Sequence, residues 1–243
     1  MTEKTTVHVD GVDVPLKIIH ERRNSIRIYL GKKEAIMRLP SSLQPKEVVE
    51  HQQRMIDWMH QLAKQKKGIF NKYQQLDYQT DDTLIVGSRK YLIKIKEAER
   101  KTSGGRLEDG VITLTMNENL DAKSRSKAIG SLLSRLVAAD QLPYIQERVH
   151  FFNQQFFKKN IKSIKLKYTH SRWGSCSSTG NINLSTRLLF APPDVIDYVI
   201  IHELAHLTEQ NHSHRFWALV EKAMPSYKEK EAWLSQFGGE CDF

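Results

Sequence analysis

The segment HELAHLTEQNHSH, residues 202–214, constrains the fold and chemistry of this chain more than any other stretch. It follows the apolar run 195–201, which predicts the buried part of a helix. His202 and His206 are four residues apart, so on a helix their imidazoles leave the same face, as two ligands of one zinc ion must. Glu203 stands beside the first histidine, where it can act as general base toward a water on the metal. This HExxH pattern therefore predicts a zinc site with Glu203 as the catalytic residue.

A catalytic zinc usually takes a third protein ligand. The candidates are Glu209, His212, His214 and Glu221. On a continuous helix His212 would lie about 120° around from His206 and about 9 Å further along, too far away to share the metal. The helix must therefore end near Leu207 or Thr208, and Asn211 is suited to the left-handed conformation that ends a helix. We favour His212 over His214, with Glu221 as the alternative ligand.

The first part of the chain is rich in β-type patterns. An Asp-Gly turn at 10–11 separates two apolar alternations and predicts a hairpin. Short strands are expected at 25–30 and 35–40, and further strands at 83–97 and 110–116 with a Gly-Gly loop at 104–105. One long helix is expected over 41–67, with its apolar side formed by Val48, Val49, Ile56, Met59 and Leu62.

The pattern changes near Leu120. A helical period covers 124–157 and is expected to be broken or bent at Pro143. A strand at 163–170, a Ser- and Gly-rich loop at 171–180 and a strand at 181–190 follow, and Pro192 and Pro193 introduce the HExxH helix. In the next helix Phe216, Trp217 and Val220 can pack behind the metal loop. We expect an α+β protein with a β-rich domain at 1–120 and a metallohydrolase domain at 121–243.

Composition and charge narrow the setting. No run of eighteen apolar residues, no signal-peptide pattern and only two cysteines indicate a cytoplasmic protein without a membrane span. The net charge of +9 favours anionic partners or serves solubility alone. Between Arg148 and Pro193 the chain carries eight basic residues and no acidic one, directly before the histidine cluster. A nucleic-acid partner is compatible with this charge, but no specific motif supports one.

Three segments carry a family resemblance: SRWGSCSSTGNINLSTRLL at 171–189, IDYVIIHELAHL at 196–207 and NHSHRFW at 211–217. They resemble the YgjP-like metallopeptidase-domain family, which is related to SprT-like and other minimal zincins. The resemblance implies a backing helix, a three-stranded sheet and then the HExxH helix. It also implies His202, His206 and His212 as ligands, with Glu203 as the catalytic acid and base.

The resemblance also places the Arg-Trp-Gly-Ser-Cys segment, 172–176, close to the active site. The candidate substrate-binding residues are Arg172, Trp173, Ser175, Asn183, Arg187 and His214. Trp173 could stack on a substrate ring or pack in the core, and Cys176 could be a ligand, a nucleophile or, in our preferred interpretation, a small buried residue. In zincin peptidases an edge strand before the active helix binds an extended peptide, and here that strand would be 181–189.

Two enzyme functions and one binding function follow from these features. A zinc metallopeptidase is our first hypothesis. The alternative is a metal-dependent nucleoside triphosphate pyrophosphohydrolase of the UTP type, to which the family has also been linked; the acid-free stretch would attract the triphosphate. The third is a metal-binding chaperone or ribosome-associated module without turnover. The expected partners are accordingly a peptide or a nucleoside triphosphate, and zinc is the expected cofactor, although another divalent ion could take its place.

Overall fold

The computed structural model describes residues 2–31, 33–74 and 77–243. The fold is α+β, as expected, and the chain forms two compact units. The first comprises Met1–Gln75 and Ser235–Glu240, and the second comprises Leu76–Leu234 and Cys241–Phe243. Among the described residues, none of the helices has an apolar stretch of the length that a membrane span requires.

The first unit is a four-stranded sheet with one long helix. Its strands are β1 (Thr2–Val9), β2 (Val12–Glu21), β3 (Arg27–Leu30) and β4 (Ala35–Pro40), and its helix is α1 (Pro45–Gln65). The strand order is β1-β2-β4-β3. Asp10 and Gly11 connect β1 to β2 with positive φ angles of 53° and 76°, so the predicted hairpin turn is confirmed.

Helix α1 buries a stripe that shares only Met59 with the expected apolar side. Met55, Met59 and Ala63, spaced four residues apart, are the buried residues of this helix. They join the strand residues in one core, together with Phe70. Val49 is 63% exposed, so its predicted place on the apolar side is wrong. Residues four positions apart lie in a stripe nearly parallel to the helix axis, so Met55, Met59 and Ala63 can all face the sheet.

The second unit contains two sheets and four helices among its described residues. Its strands are β5 (Thr83–Val86), β6 (Arg89–Ala98), β7 (Gly104–Glu108), β8 (Val111–Asn117), β9 (Ser163–Lys167), β10 (Gly174–Cys176) and β11 (Asn181–Ser185). Its helices are α2 (Ala122–Phe152), α3 (Pro193–Ala205), α4 (His214–Ala223) and α5 (Tyr227–Phe237), the last of which extends past Leu234. The sheets have the orders β5-β6-β8-β7 and β10-β11-β9.

The two units divide at residues 75 and 76, not near 120 where the sequence pattern changes. The reason is that the sheet β5–β8 has no core of its own. Its buried side chains, such as Ile93 and Leu114, belong to one hydrophobic cluster with Ile129 of α2 and Ile200 of α3. The expected loop at 104–105 is also wrong, because Gly104 and Gly105 begin β7. A Cβ at Gly105 would lie 2.7 Å from Leu114 Cδ2, so a side chain here would require Leu114 to move.

Helix α2 continues through Pro143, contrary to the expected break. Ala138, Gln141, Ile145 and Val149 are buried on both sides of the proline, and this packing outweighs the one backbone hydrogen bond that proline removes. The helix ends in a π-helical turn, Asn153–Phe157.

The three-stranded sheet corrects the prediction about the edge strand. β11 is central, because it pairs with β9 in parallel and with β10 in an antiparallel register. The edge next to the HExxH helix is β10, which lies within the segment expected to be a loop. Three residues rich in glycine and serine carry almost no strand signal, so only the tertiary pairing identifies β10.

Gly68 and Gly239 place two backbone segments of the first unit in direct contact. A Cβ at Gly239 would lie 2.5 Å from the Gly68 carbonyl carbon and 2.5 Å from the Lys67 carbonyl oxygen. Backbone atoms cannot move aside as a flexible side chain does, so this contact requires glycine.

We expect Gly239→Ala to lower the free energy of unfolding by about 1–3 kcal/mol, the usual cost of overpacking. Urea unfolding followed by circular dichroism measures this change. Gly104→Ala is the matched control, because its Cβ would meet only the Arg100 guanidinium at 3.6 Å, an ordinary contact. Equal midpoints for Gly239→Ala and the unaltered chain would contradict the close approach.

Candidate metal centre

Helix α3 carries the HExxH residues and ends within the motif. It begins after Pro192, is buried along most of its length, and ends at Ala205, with His206 as its C-terminal cap. The Ala205 carbonyl accepts hydrogen bonds from the backbone of Thr208 at 3.0 Å and of Glu209 at 2.9 Å. The expected end near Leu207 is thus correct to within two residues. Asn211 does not have the positive φ expected of it, because these backbone bonds already close the helix.

The reversal brings three imidazoles together. His202, His206 and His212 each offer a ring nitrogen, and these atoms lie within 4.8 Å of one another. The ring centroids are 5.0 Å apart for His202 and His206, 5.0 Å for His202 and His212, and 4.8 Å for His206 and His212. His212 is exposed, so solvent and small molecules reach the cluster from its side.

The hydrogen bonding of these rings fits a bound cation. His206 Nδ1 donates to the Glu209 carbonyl at 3.1 Å, which leaves its Nε2 as an unprotonated donor to a metal. His202 Nε2 and His212 Nε2 lie 3.1 Å apart. Two nitrogens on a tetrahedral zinc, each about 2.0–2.1 Å from the ion, would be roughly 3.3 Å apart. The donor set is therefore one that zinc accepts with little rearrangement.

Burial favours the neutral form of His202 and His206, which is the form that binds metal. Burial, together with the neighbouring His206 and His212, lowers the pKa of His202 to about 4. Burial also lowers the pKa of His206, against the opposing effect of its hydrogen bond to Glu209.

Helix α4 supports the three rings from behind. Phe216 is completely buried, and its ring centroid lies 4.9 Å from that of His202, 4.6 Å from His206 and 4.7 Å from His212. Ser213, the residue after His212, caps this helix, which begins at His214. The predicted packing role of Phe216 and Val220 behind the metal loop is confirmed, since both are fully buried.

Glu203 lies on the buried side of the cluster. Its side chain is only 5% exposed, and its Oε2 has no hydrogen-bond partner among the described residues. Burial raises the pKa of this carboxyl to about 7, and the nearby positive charge of Arg172 acts in the opposite direction. A carboxyl with a pKa of about 7 can both take up and release a proton near neutral pH.

The edge strand β10 lies directly against Glu203. A Cβ at Gly174 would lie 2.4 Å from Glu203 Oε1, so the absence of a side chain makes room for the carboxylate. Trp173 O accepts from Ser185 N, and Ser177 N donates to Asn181 O. Because inward and outward backbone groups alternate in an antiparallel pair, those of Gly174 and Cys176 point away from β11, toward the unpaired edge.

Cys176 is a packing residue, as preferred from the sequence. It is half-buried against the hydrophobic cluster, and burial, followed by the charge of Glu203, raises the pKa of its thiol to about 11. A thiol in this state is a poor nucleophile and a poor metal ligand.

Several predicted substrate-binding residues lie elsewhere. Side chains alternate along a strand, and Gly174 faces Glu203, so Ser175 and its cross-strand partner Asn183 lie on the opposite face of the sheet. His214 is exposed in the first turn of α4 and is not part of the triad, and Glu221 is exposed further along. Only Arg172 is both exposed and electrostatically coupled to Glu203.

Arg187 and Trp173 form a structural pair. The Arg187 guanidinium is 5.1 Å from the centre of the Trp173 ring and donates to the Cys241 carbonyl at 2.6 Å. It also lies 3.7 Å from Asp242, and the residue is only 9% exposed. These contacts assign Arg187 to holding residues 241–242 in place, which corrects its predicted substrate role. Trp173 packs against the hydrophobic cluster.

The acid-free stretch does not converge on the histidines. Arg148 forms two hydrogen bonds with Asp197, at 2.9 and 2.7 Å, so its charge is neutralised within the fold. The remaining cations are lysines on and just before β9, at the other edge of the three-stranded sheet from β10. They are Lys158, Lys159, Lys162, Lys165 and Lys167.

Sequence reasoning missed two contributions to the site. The carbonyl of Glu209 orients His206, although Glu209 was considered only as a side-chain ligand. The ring of Tyr198 lies 6.0 Å from that of His202, one helical turn earlier. The i, i+4 spacing of Tyr198 and His202 predicts their contact on one helix face. No sequence pattern identifies the Glu209 carbonyl as the hydrogen-bond acceptor of His206.

Comparison with known proteins finds a curated relative and several similar solved structures. The UTP pyrophosphatase of Escherichia coli (strain K12) is 27% identical over 93 residues, which are 37% of this chain and 56% of that protein. The chain thus matches little more than half the length of this relative. The zymogen structure of the metallopeptidase abylysin from Pyrococcus abyssi matches with a TM-score of 0.33 and 25% identity, over 36% of this chain and 87% of that one. That of jannalysin from Methanocaldococcus jannaschii matches with a TM-score of 0.32 and 21% identity, over 36% and 89%.

A family model covers far more of the chain than these pairwise matches do. It is described as YgjP-like, metallopeptidase domain, and it extends over residues 22–237, which include β3 to α5 and all three histidines. The chain belongs to the YgjP-like metallopeptidase-domain family.

Proposed function

We propose that this protein is a zinc-dependent metallopeptidase with Glu203 as its catalytic residue. The observation that carries the proposal is the position of Glu203, which follows His202 on α3 and lies against the open backbone edge of β10. A peptide bound along this edge would have its backbone next to the carboxylate and the histidine cluster.

The residues divide the chemistry between them. His202, His206 and His212 would hold the zinc ion, which when bound polarises a carbonyl group and acidifies water. Glu203 accepts a proton from the attacking water at its carboxylate and delivers it to the leaving amine. Because the Glu203 carboxylate is buried, bulk solvent does not compete for it. It therefore exchanges protons with the attacking water and the substrate.

The edge strand and Arg172 would position the substrate. The outward backbone groups of Gly174 and Cys176 can pair with an extended peptide, as in strand addition. Arg172 is exposed and its charge acts on Glu203, so we assign its guanidinium as a donor to the oxygen that gains negative charge during attack.

A nucleoside triphosphate pyrophosphohydrolase of the UTP type is the second candidate. It is supported by the relative named UTP pyrophosphatase and by Arg172, because a guanidinium binds phosphate as readily as a carboxylate. The five lysines of the acid-free stretch do not support it, because they lie at the far edge of the sheet from the histidines.

We expect the zinc-loaded protein to cleave unstructured polypeptides and Glu203→Gln to lower the rate by at least about 100-fold, because general acid–base catalysis contributes 10²–10⁴-fold. Gel electrophoresis and mass spectrometry detect the fragments, while pyrophosphate release from common nucleoside triphosphates is measured in parallel. Glu221→Gln, an exposed glutamate on α4, is the matched control and should retain full activity.

The outcomes separate the hypotheses. Pyrophosphate release that depends on Glu203, without peptide cleavage, would replace the peptidase with the pyrophosphohydrolase. Turnover of neither substrate by protein with a full equivalent of zinc would favour a binding module, which is the third hypothesis.

His212→Ala should lower zinc affinity by more than the 10- to 100-fold typical of removing an outer partner, because it removes a direct ligand. His214→Ala should leave zinc binding unchanged, since His214 lies outside the triad. Chelator competition followed by elemental analysis measures both. Equal zinc retention in the two variants would contradict the assignment of His212.

Arg172→Ala should lower kcat/KM for the peptide by about 100-fold, with most of the loss in kcat, as expected when one donor to the developing oxyanion is removed. Arg215→Ala removes an equally exposed arginine on α4 and should leave the kinetic parameters unchanged. A loss confined to KM would instead assign Arg172 to ground-state binding.

A further inference from the structure

The lysines near β9 form a charged surface without counterions. Lys158, Lys159 and Lys162 precede the strand, and Lys165 and Lys167 lie on it; all five are exposed. Across residues 2–31, 33–74 and 77–243, none of these ammonium groups forms an ion pair or a hydrogen bond. Five charges of one sign along ten residues, none of them paired, create a local potential that attracts anions.

A groove adjoins this surface. It has a volume of about 440 Å³ and lies between α2 and β9. Its lining includes Arg135, Lys165, Lys167 and Tyr168, with Ala138 and Leu142 as apolar surface, and no acidic residue. Lys165 and Lys167 are alternate residues of a strand, so their side chains leave the same face about 6.6 Å apart.

Tyr168 gives the groove an aromatic surface in a fixed position. It is 44% exposed, while its hydroxyl donates to Asp242 at 2.6 Å. The ring also packs edge-on against His170, with centroids 4.9 Å apart. A ring held at one end and open on the other side is suited to stacking against a planar group.

The approach to β9 is also fixed. Asn153, in the π-helical turn, is buried, and its side-chain amide bonds both backbone groups of Lys159, at 2.8 and 3.0 Å. Lys158 is held in the left-handed conformation with φ of 53°. The lysines therefore project from an ordered backbone, which reduces the entropy lost when they bind a ligand.

We propose that the groove between α2 and β9, with the adjoining lysines, binds single-stranded nucleic acid. The phosphates would contact the lysines and Arg135, and an unpaired base would enter the groove and stack on Tyr168. A duplex hides its base faces and could not use the tyrosine. A lipid surface would not fill a concave groove, and an acidic peptide has no planar group at regular spacing.

This surface is separate from the metal centre. β9 and β10 are the two edges of the same sheet, with β11 between them, and the triad and Glu203 are on the β10 side. Binding here would place a nucleic acid on a different edge from the proposed peptide and does not depend on the proposed activity.

The test uses the full-length zinc-loaded chain and a fluorescent single-stranded RNA of about 12 nucleotides, within the range that such sites cover. Anisotropy gives the affinity at several salt concentrations. We expect binding that Lys165→Ala with Lys167→Ala weakens at least about tenfold. The slope of log K against log[salt] should fall by about 1.4 in magnitude, which corresponds to roughly 0.7 for each lost phosphate contact.

The matched control is Lys64→Ala with Lys66→Ala, two exposed lysines at the end of α1 that remove the same charge. Its affinity should change by less than about twofold if the contacts are local rather than a matter of net charge. Tyr168→Leu should weaken binding about tenfold without changing the salt slope, and Tyr168→Phe should not. Circular dichroism and zinc content verify that each variant remains folded.

Three results would overturn the proposal. They are the absence of RNA binding at low salt, an equal loss in the two double-lysine variants, and a preference for duplex RNA or for phosphatidylserine vesicles over the single strand.

Discussion

The candidate site depends on one backbone event, the end of α3 at Ala205, with His206 as its C-terminal cap. Had the helix continued, His212 would lie on another face and a full turn and a half beyond His206. The Ala205 carbonyl instead accepts two backbone hydrogen bonds, and the chain returns so that three imidazoles face one point. Phe216 then packs against all three rings. The reversal therefore has two effects. It returns the chain so that His212 lies next to His202 and His206, and it leads into α4, which carries Phe216.

A second constraint is the contact between Gly174 and Glu203. Any side chain at position 174 would occupy the space of the carboxylate. The glycine thus lets an edge strand approach the HExxH helix closely enough for its free backbone groups and the carboxylate to serve the same substrate. This contact places the edge strand next to the carboxylate of Glu203. The Arg-Trp-Gly-Ser-Cys segment thus contributes its backbone, and Arg172 is its one side chain with a proposed role.

The sequence predicted what is local and periodic. The spacing of His202 and His206, the hairpin at Asp10 and Gly11, and the apolar side of α4 follow from helix and strand geometry, and the structure contains them. It did not predict what depends on pairing at a distance. β10 is three residues long and has no periodicity, and Gly104 and Gly105 belong to a strand through their pairing with Thr115 and Leu114 of β8. For the same reason the boundary at 120 was misplaced, since a change of pattern along the chain does not reveal that two sheets share one core.

Charge shows this limit most clearly. In the sequence, eight basic residues and no acidic residue occupy the stretch before the histidines, which suggests that the site binds phosphate. In the fold, Asp197 neutralises Arg148, residues 241–242 engage Arg187, and five lysines gather at the opposite edge of the sheet. Of these eight cations, Arg172 is the one whose charge acts on the pKa of Glu203. A triphosphate carries several negative charges and would be expected to need more than one cation besides the metal, whereas a peptide carbonyl needs one donor and a backbone edge, both of which the β10 side provides. The distribution of charge in the fold therefore favours a peptide as the proposed substrate of the histidine site and places the proposed binding of a polyanion at β9.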